Sequence, residues 1–383
     1  MQAVVHQLNV AVGDVVTANA ELVVLEAMKM HHGLAAVSGG RVVEVSVALG
    51  DVVDAGQILV RLDPETQADE AQAHDEQIDL DHIRADLSEL EARLARTLDA
   101  ARPEKMGKRH EKGFRSAREN IDDLCDPDSF IEYGQLVVAA QRQRRELDDL
   151  IDNTPADGLI AGFGAINGDE FSEDQARAAV LAYDYTVLAG TQGAFNHKKT
   201  DRVLELAQDW QTPIVFFTEG GGGRPGDTDF AKVQGATLDV MTFATFAKAS
   251  GVAPRIAVNN GYCFAGNAVL FGCADVTIAT KSSYIGMGGP AMIEGGGLGA
   301  VAPTEVGPSD IQFSNGVIDL LADDEADAVA TTKKLLGFFQ GRVSVHKCGD
   351  QRLLRHVIPE DRKRAYDMRE AIGLIADTGS VLE

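Results

Sequence analysis

Lys29 stands between two methionines in Glu26-Ala27-Met28-Lys29-Met30, at the end of a run of valines and leucines. A lysine amine on its flexible four-carbon stem can form an amide with a carboxylic acid, and a lysine shown alone at the tip of a rigid turn suits covalent attachment of a prosthetic group. The flanks supply such a turn. Val12-Gly13-Asp14-Val15-Val16 is echoed by Leu49-Gly50-Asp51-Val52-Val53, and the offset of 37 residues persists through Leu22/Leu59 and Val23/Val60. Residues 1–64 therefore read as two similar β-rich halves with Lys29 at the hairpin between them. Alternating apolar residues bury one face of each strand and leave the connecting turn in water. An ordinary solvated turn lysine would explain the tetrapeptide alone; it does not explain the doubled Gly-Asp pattern around it.

Two glycine runs farther along can hold developing negative charge. Phe216-Phe217-Thr218-Glu219-Gly220-Gly221-Gly222-Gly223-Arg224 passes from an apolar run straight into four glycines, whose N–H groups are not screened by side chains. Asn260-Gly261-Tyr262-Cys263-Phe264-Ala265-Gly266-Asn267-Ala268 reads as strand, small residues, then an apolar helix with free N–H donors at its start. Together two such donor clusters can build an oxyanion hole. Each run alone reads equally well as a turn or a phosphate cradle, although the Gly-x-x-x-x-Gly-Lys-Ser/Thr signature of nucleotide triphosphate binding is absent.

The elements that must position these residues follow from length and pattern. At 383 residues the chain exceeds the size at which one core keeps growing, so two or three domains are expected. Between Pro64 and Pro103 the sequence turns polar, with Ile78, Ile83, Leu87, Leu90, Leu94 and Leu98 at roughly helical intervals. This predicts a helical linker over 65–102; about 30 helical residues would span roughly 45 Å. Such a helix serves equally as a spacer or packed through its leucine stripe. From Lys105 onward short strands such as Gly158 to Gly164, Val180 to Leu188, Pro213 to Phe217, Arg255 to Val258 and Asp275 to Ala279 alternate with alanine-rich helices, which argues for a layered α/β core. The net charge of −24 argues against nucleic acid or an anionic membrane as the main partner. Nothing reads as a signal peptide, and no apolar run approaches the ~18 residues of a membrane span. Cys125, Cys263, Cys273 and Cys348 lie far apart without a Cys-x-x-Cys pair, so no metal is expected and a reduced, cytoplasmic setting fits.

Residues 1–64 resemble the biotinyl, or biotin carboxyl carrier, domain, whose hallmark is a lysine in Ala-Met-Lys-Met. Residues 103–345 resemble the carboxyltransferase domain of biotin-dependent acyl-CoA carboxylases, in the crotonase superfamily. That second resemblance rests on Arg115-Ser116-Ala117-Arg118-Glu119, Asp126-Pro127-Asp128-Ser129-Phe130, Asp184-Tyr185-Thr186-Val187, Gly193-Ala194-Phe195, Lys198-Lys199-Thr200, the glycine loop with Arg224, and Ala265-Gly266. The implied architecture is multi-domain: a small all-β biotinyl domain (a flattened barrel or sandwich built on a hairpin repeat), a helical linker and a crotonase-like α/β domain.

The resemblance implies biotin covalently held on Lys29 and transfer of CO2 from carboxybiotin to the α-carbon of an acyl-CoA, by positioning and oxyanion stabilisation. Gly221 and Gly222 match the family's pair facing the thioester oxygen, Ala265 and Gly266 the second donor, and Lys198, Lys199 and Arg224 are candidates for the phosphates of coenzyme A. An enoyl-CoA hydratase, the rival chemistry, carries carboxylates where this chain has Val269 and Gly289, and Glu294 lies beyond Pro290 in a glycine-rich loop. Implied partners are an ATP-dependent biotin carboxylase subunit, a biotin protein ligase and further copies in a homo-oligomer. A non-catalytic biotin carrier and an acyl-CoA decarboxylase component remain as alternatives.

Residues 346–383 begin a second copy. Arg369-Glu370-Ala371-Ile372 through Glu383 repeats Arg118-Glu119-Asn120-Ile121 through Glu132 at a constant offset of 251. The family has two such copies, so the chain is expected to be a truncated form, with 346–383 packed poorly and little transfer from the chain alone.

Overall fold

The computed structural model describes residues 2–64, 79–229, 240–343 and 346–383. Two compact units are present, Met1–Ile83 and Arg84–Glu383.

The first unit is two small antiparallel sheets. One runs β4-β3-β1-β6 and the other β2-β5-β7, with β1 Ala3–Leu8, β2 Val15–Val16, β3 Glu21–Ala27, β4 Met30–Ala35, β5 Gly40–Val45, β6 Val52–Val53 and β7 Val60–Asp63. The 37-residue repeat is a structural two-fold: β1, β2 and β3 correspond to β5, β6 and β7, and each half lends its short Val-Val strand to the other half's sheet. The hydrogen bonds obey the same symmetry. Gly13 N–H donates to Val42 O at 2.8 Å and Gly50 N–H to Val5 O at 2.8 Å, while Asp14 and Asp51 accept from the N–H of Ala11 (2.7 Å) and Ala48 (2.8 Å). Both glycines have positive φ, 102° and 88°, and so fix the Gly-Asp turns. Val5, Val16, Val42 and Val53, paired by the repeat, meet in one core with Leu22, Val23, Ala36 and Val47.

The second unit holds a seven-stranded sheet ordered β16-β14-β12-β11-β10-β9-β8. Its strands are β8 Ile131–Glu132, β9 Leu159–Ala165, β10 Arg177–Tyr183, β11 Ile214–Phe217, β12 Arg255–Asn259, β14 Val276–Thr280 and β16 Leu320–Ala322. Strands β10 through β16 pair in parallel, and β8 and β9 are antiparallel additions. Alternate residues of β9–β12 feed two apolar layers: Ile160, Val180, Val215 and Ile256 on one face, Leu159, Leu181, Ile214 and Phe216 on the other. Burial on both faces accounts for the nearly unbroken apolar strands. Two short parallel strands, β13 Tyr262–Phe264 and β15 Tyr284–Gly286, stand apart from the large sheet and carry the second glycine run.

Part of the helical linker expected over 65–102 is described. Residues 65–78, including Ile78, lie outside the described residues; the helix that follows is Ala85–Ala95, 11 residues, and belongs to the second unit. Its leucine stripe is largely exposed, with Leu87 at 41% and Leu90 at 44%. Polar contacts dock it: Arg93 donates to Leu136 O at 3.3 Å and Arg96 to Asp152 at 2.6 Å, and Gln135 donates to Thr97 just beyond the helix at 2.7 Å. The 251-residue repeat ends in two environments. Ile121 and Leu124 of helix Ala117–Leu124 are 1% and 0% exposed, whereas Ile372 and Ile375 of helix Met368–Ile375 are 42% and 64% exposed. Leu382 of the later segment packs against the sheet's core, and Ala371 is buried at 5%.

Candidate functional site

Lys29 lies at the tip of the β3–β4 hairpin. Ala27 pairs with Met30, so Met28 and Lys29 form a two-residue turn, and both have positive φ, 53° and 63°. That is the dihedral signature of a tight hairpin turn whose twist matches its strands. Neither residue is a glycine, so each left-handed conformation costs roughly 1–2 kcal/mol. The strain holds the lysine away from the sheet: Lys29 is exposed and Met28 is 84% exposed, while the preceding Ala27 is anchored at 7%.

The two glycine runs meet in the second unit. The first run lies beside β13: Gly220 N–H donates to Tyr262 O at 2.7 Å, and Phe264 N–H donates to Gly220 O at 2.9 Å. A Cβ on Gly222, at φ 88°, would come within 2.6 Å of the Ala265 Cβ, and 3.5 Å from Gly266 N. Ala265 caps helix Gly266–Gly272 in a conformation rare for a residue with a side chain, φ 50° and ψ −120°. Buried Asn267 ties both loops, accepting from Gly222 N–H at 2.9 Å and donating to Gly190 O at 3.3 Å.

These bonds decide which amides remain as donors: of the four residues expected from sequence, Gly266 keeps an N–H without a partner among the described residues. Gly221 N–H is taken by Ala189 O at 3.0 Å, Gly222 N–H by Asn267, and Ala265 N–H by Gly286 O at 3.1 Å. Gly223 and Gly266 keep N–H groups without a partner among the described residues. Gly223 is exposed with open space in front of its α-carbon, and Gly266 is partly exposed at the first position of its helix. The alternation follows from the bridge of Gly223 to Gln192. Gln192 N–H donates to Gly222 O and Arg224 N–H to Gln192 O, both at 2.8 Å, which turns the intervening Gly223 amide outward.

The expected phosphate cations divide. Lys198 is exposed on helix Ala194–Asp209, its ammonium 5.8 Å from the Phe195 ring centre. Lys199 is 7% exposed, bonded to Leu159 O and 3.8 Å from Glu132, and burial pushes its ammonium down to about 8. Arg224 has a 2% exposed side chain that pairs with the fully buried Asp157 and lies 3.6 Å from Asp227. Lys199 and Arg224 thus serve the fold and present no cation to solvent, which corrects the sequence assignment. Asp157 and Ala156 have positive φ, 51° and 53°, and the Arg224 pair clamps this strained turn beneath the glycine loop. Sequence reading missed Asn267, Gln192 and Asp157; a lone amide at a helix start was the one available signal for the first.

Neither position expected of a hydratase carries a carboxylate. Val269 lies inside helix Gly266–Gly272, Gly289 caps helix Pro290–Gly295, and Glu294 is exposed. The carboxylate adjoining the loop, Glu219, is turned away into a buried pair with Arg109, close to Glu325. Burial pushes it up to about 7 and the arginine opposes that.

The chain belongs to the carboxyl transferase domain family, which matches residues 108–383, and it carries a biotin-requiring enzyme domain over residues 1–62. It is 32% identical over 289 residues to the methylmalonyl-CoA carboxyltransferase 12S subunit of Propionibacterium freudenreichii subsp. shermanii, covering 72% of this chain and 52% of that one. It is 28% identical to the propionyl-CoA carboxylase beta chain of Saccharopolyspora erythraea, covering 78% and 55%. The chain spans about half the length of these curated relatives. Among solved structures it resembles a single-chain, multi-domain long-chain acyl-CoA carboxylase at 50% identity and TM-score 0.75, over 99% of this chain and 36% of that one. The hexameric transcarboxylase 12S core, solved with hydrolysed methylmalonyl-CoA, matches at 29% identity and TM-score 0.57, over 70% and 51%. Among the described residues no helix is long and apolar enough to cross a membrane.

Proposed function

We propose that this chain moves a carboxyl group between biotin on Lys29 and the α-carbon of an acyl-CoA, as the carboxyltransferase component of a biotin-dependent acyl-CoA carboxylase. The observation that carries the reading is the pair of outward amides, Gly223 and Gly266, in loops that touch at Gly222 and Ala265. Two preorganised N–H groups aimed at one thioester oxygen would stabilise the charge that appears there when the α-carbon loses its proton. Asn267 and Gln192 hold the donors in place, so no reorganisation accompanies the charge. The turn at Met28 and Lys29 keeps the attachment amine clear of its sheet. Biotin, bound there, would supply the carboxyl carrier and the nitrogen that exchanges it. Lys198 is the remaining candidate for a CoA phosphate.

Identity of 50% to the single-chain long-chain acyl-CoA carboxylase favours a long-chain acyl-CoA as the first substrate to test. A separate biotin carboxylase activity would load the biotin and a biotin protein ligase would attach it. Assembly into a homo-oligomer accords with the hexamer described for transcarboxylase 12S, and the four free cysteines accord with a reducing, cytoplasmic compartment.

The test follows labelled carboxyl from a carboxyacyl-CoA to protein-bound biotin, both in this chain and in a form extended to the length of its relatives. Transfer that requires Lys29 supports the reading. A biotinylated protein that transfers no label in either form is a carrier only, and the assignment fails.

A further inference from the structure

His6, Glu26 and His31 form a second cluster, in the biotinyl unit, that the transfer chemistry does not use. Their ligand atoms all lie within 4.8 Å of one another. The strands bring them together: Glu26 of β3 pairs with His31 of β4 on one side and Val4 of β1 on the other. His6 is the extra residue of a bulge in β1, since Val5 pairs with Leu25 and Gln7 with Val24. A bulge re-aims one side chain. Here it leaves the His6 ring 3.9 Å from the His31 ring, centre to centre, at 30° between planes. Among the described residues neither imidazole makes a hydrogen bond; the sole polar approach is His6 Nδ1 to Glu26 Oε2 at 3.9 Å. Two solvent-facing imidazoles and a carboxylate are thus gathered on one sheet face with their lone pairs uncommitted.

We propose that His6, Glu26 and His31 bind a divalent late transition metal, zinc by preference, as a three-ligand site beside the Lys29 hairpin. Two imidazoles and one carboxylate suit zinc, which takes nitrogen and oxygen ligands at about 2.0–2.2 Å and completes a tetrahedron with water. His6 and His31 are exposed and Glu26 is partly exposed, so their side chains have room to turn toward a common ion. The bound ion would fasten β1 to β4 across β3 and stiffen the hairpin two residues from the attachment lysine.

The experiment uses the full chain, stripped with a chelator and dialysed against Zn2+, with metal content counted per protein. Wild type is expected to retain one more equivalent than either His6→Ala or His31→Ala. His32→Ala, one residue on and therefore on the opposite face of β4, is expected to retain it. Substitution with Co2+ gives an independent readout: a four-coordinate visible absorption band in wild type and His32→Ala, lost in the other two. Circular dichroism that matches wild type shows the variants to be folded, and Glu26→Gln, which keeps the shape, is expected to lose the band as well. Equal zinc content in wild type, His6→Ala and His31→Ala overturns the proposal, as does a cobalt band that survives loss of either histidine.

Discussion

The side-chain oxygen of Asn267 accepts the Gly222 N–H at 2.9 Å, so the start of one helix holds the glycine loop 45 residues earlier. The same side chain donates to Gly190 O and is fully buried. Asn267→Ala would leave a buried donor and a buried acceptor unpaired, at a cost of about 1–3 kcal/mol for each group. It would also free the Gly222 amide and let Gly223 turn. The expected result is a lower melting temperature with carboxyl transfer reduced by about 10²-fold, the scale on which loss of one oxyanion donor is felt. Transfer rates at wild-type level in the folded variant would remove Asn267 from the positioning role.

Gly222 provides a sharper steric test than Gly221. A Cβ at Gly222 meets Ala265 Cβ at 2.6 Å, whereas one at Gly221 meets the Thr191 methyl at 3.2 Å and Ala189 O at 3.6 Å. Gly222 also holds φ 88°, where a side chain is strained. Gly222→Ala is therefore expected to push the two loops apart and depress kcat well beyond the effect of Gly221→Ala, with biotin attachment unchanged. Similar kcat values for the two variants would show that loop separation does not set the rate.

Lys29 is expected to carry biotin when the protein is made alongside a biotin ligase, and Lys29→Arg to carry none, because a guanidinium does not form the amide. The substitution keeps charge and turn length, so the β sandwich should melt as before. Intact-mass spectrometry reads the outcome; an unmodified wild-type mass under these conditions would refute the attachment site.

The hairpin was legible because its information is local: a lysine flanked by methionines, and a repeat whose Gly-Asp turns reappear as symmetric hydrogen bonds. The α/β core was legible for the same reason, in its short apolar runs. Which amides point outward was not, since Gly221, Gly222 and Ala265 lose their donors to Ala189, Asn267 and Gly286, partners set by tertiary folding. Equally hidden was the fate of Arg224, a surface-like cation by type that the buried Asp157 draws inward. The histidine cluster depends on a one-residue bulge, which no periodicity reveals. The leucine stripe at 87–94 did not reveal that polar side chains dock its helix.

His197 provides a pH signature. Burial is the main cause that lowers its imidazole to about 4, with a smaller push from Arg224, and its Nδ1 lies 2.8 Å from Thr242 Oγ1. The unfolded chain binds this proton below about 6.5 and the native chain only below about 4, so stability falls as pH drops through that window. The difference corresponds to roughly 3 kcal/mol at most. His197→Gln should flatten the part of the stability slope between pH 6.5 and 4 that the histidine contributes, as measured by denaturant unfolding at several pH values. Parallel slopes in wild type and variant would show that His197 titrates normally.

Lys198 and Lys199 are adjacent in sequence and opposite in role. Lys199 is buried against Leu159 O and Glu132, so Lys199→Met should leave a buried carbonyl and carboxylate short of their cation and lower stability by about 1–3 kcal/mol. Its ammonium, lowered to about 8 by burial, also makes the native fold more stable as pH rises from about 8 toward 10.5, a gain absent from the methionine variant. Any folded Lys199→Met protein should bind acyl-CoA as wild type does. Lys198, exposed on the same helix, should behave in reverse: Lys198→Ala leaves the melting temperature near wild type and weakens acyl-CoA binding by roughly 3–10-fold, with a smaller dependence on salt, as expected when one phosphate contact of about 1 kcal/mol is lost. Calorimetric titration with acyl-CoA at low and moderate salt distinguishes the pair. A Lys199→Met protein that is stable but binds poorly would reverse the assignment and put the ligand phosphate at the buried position.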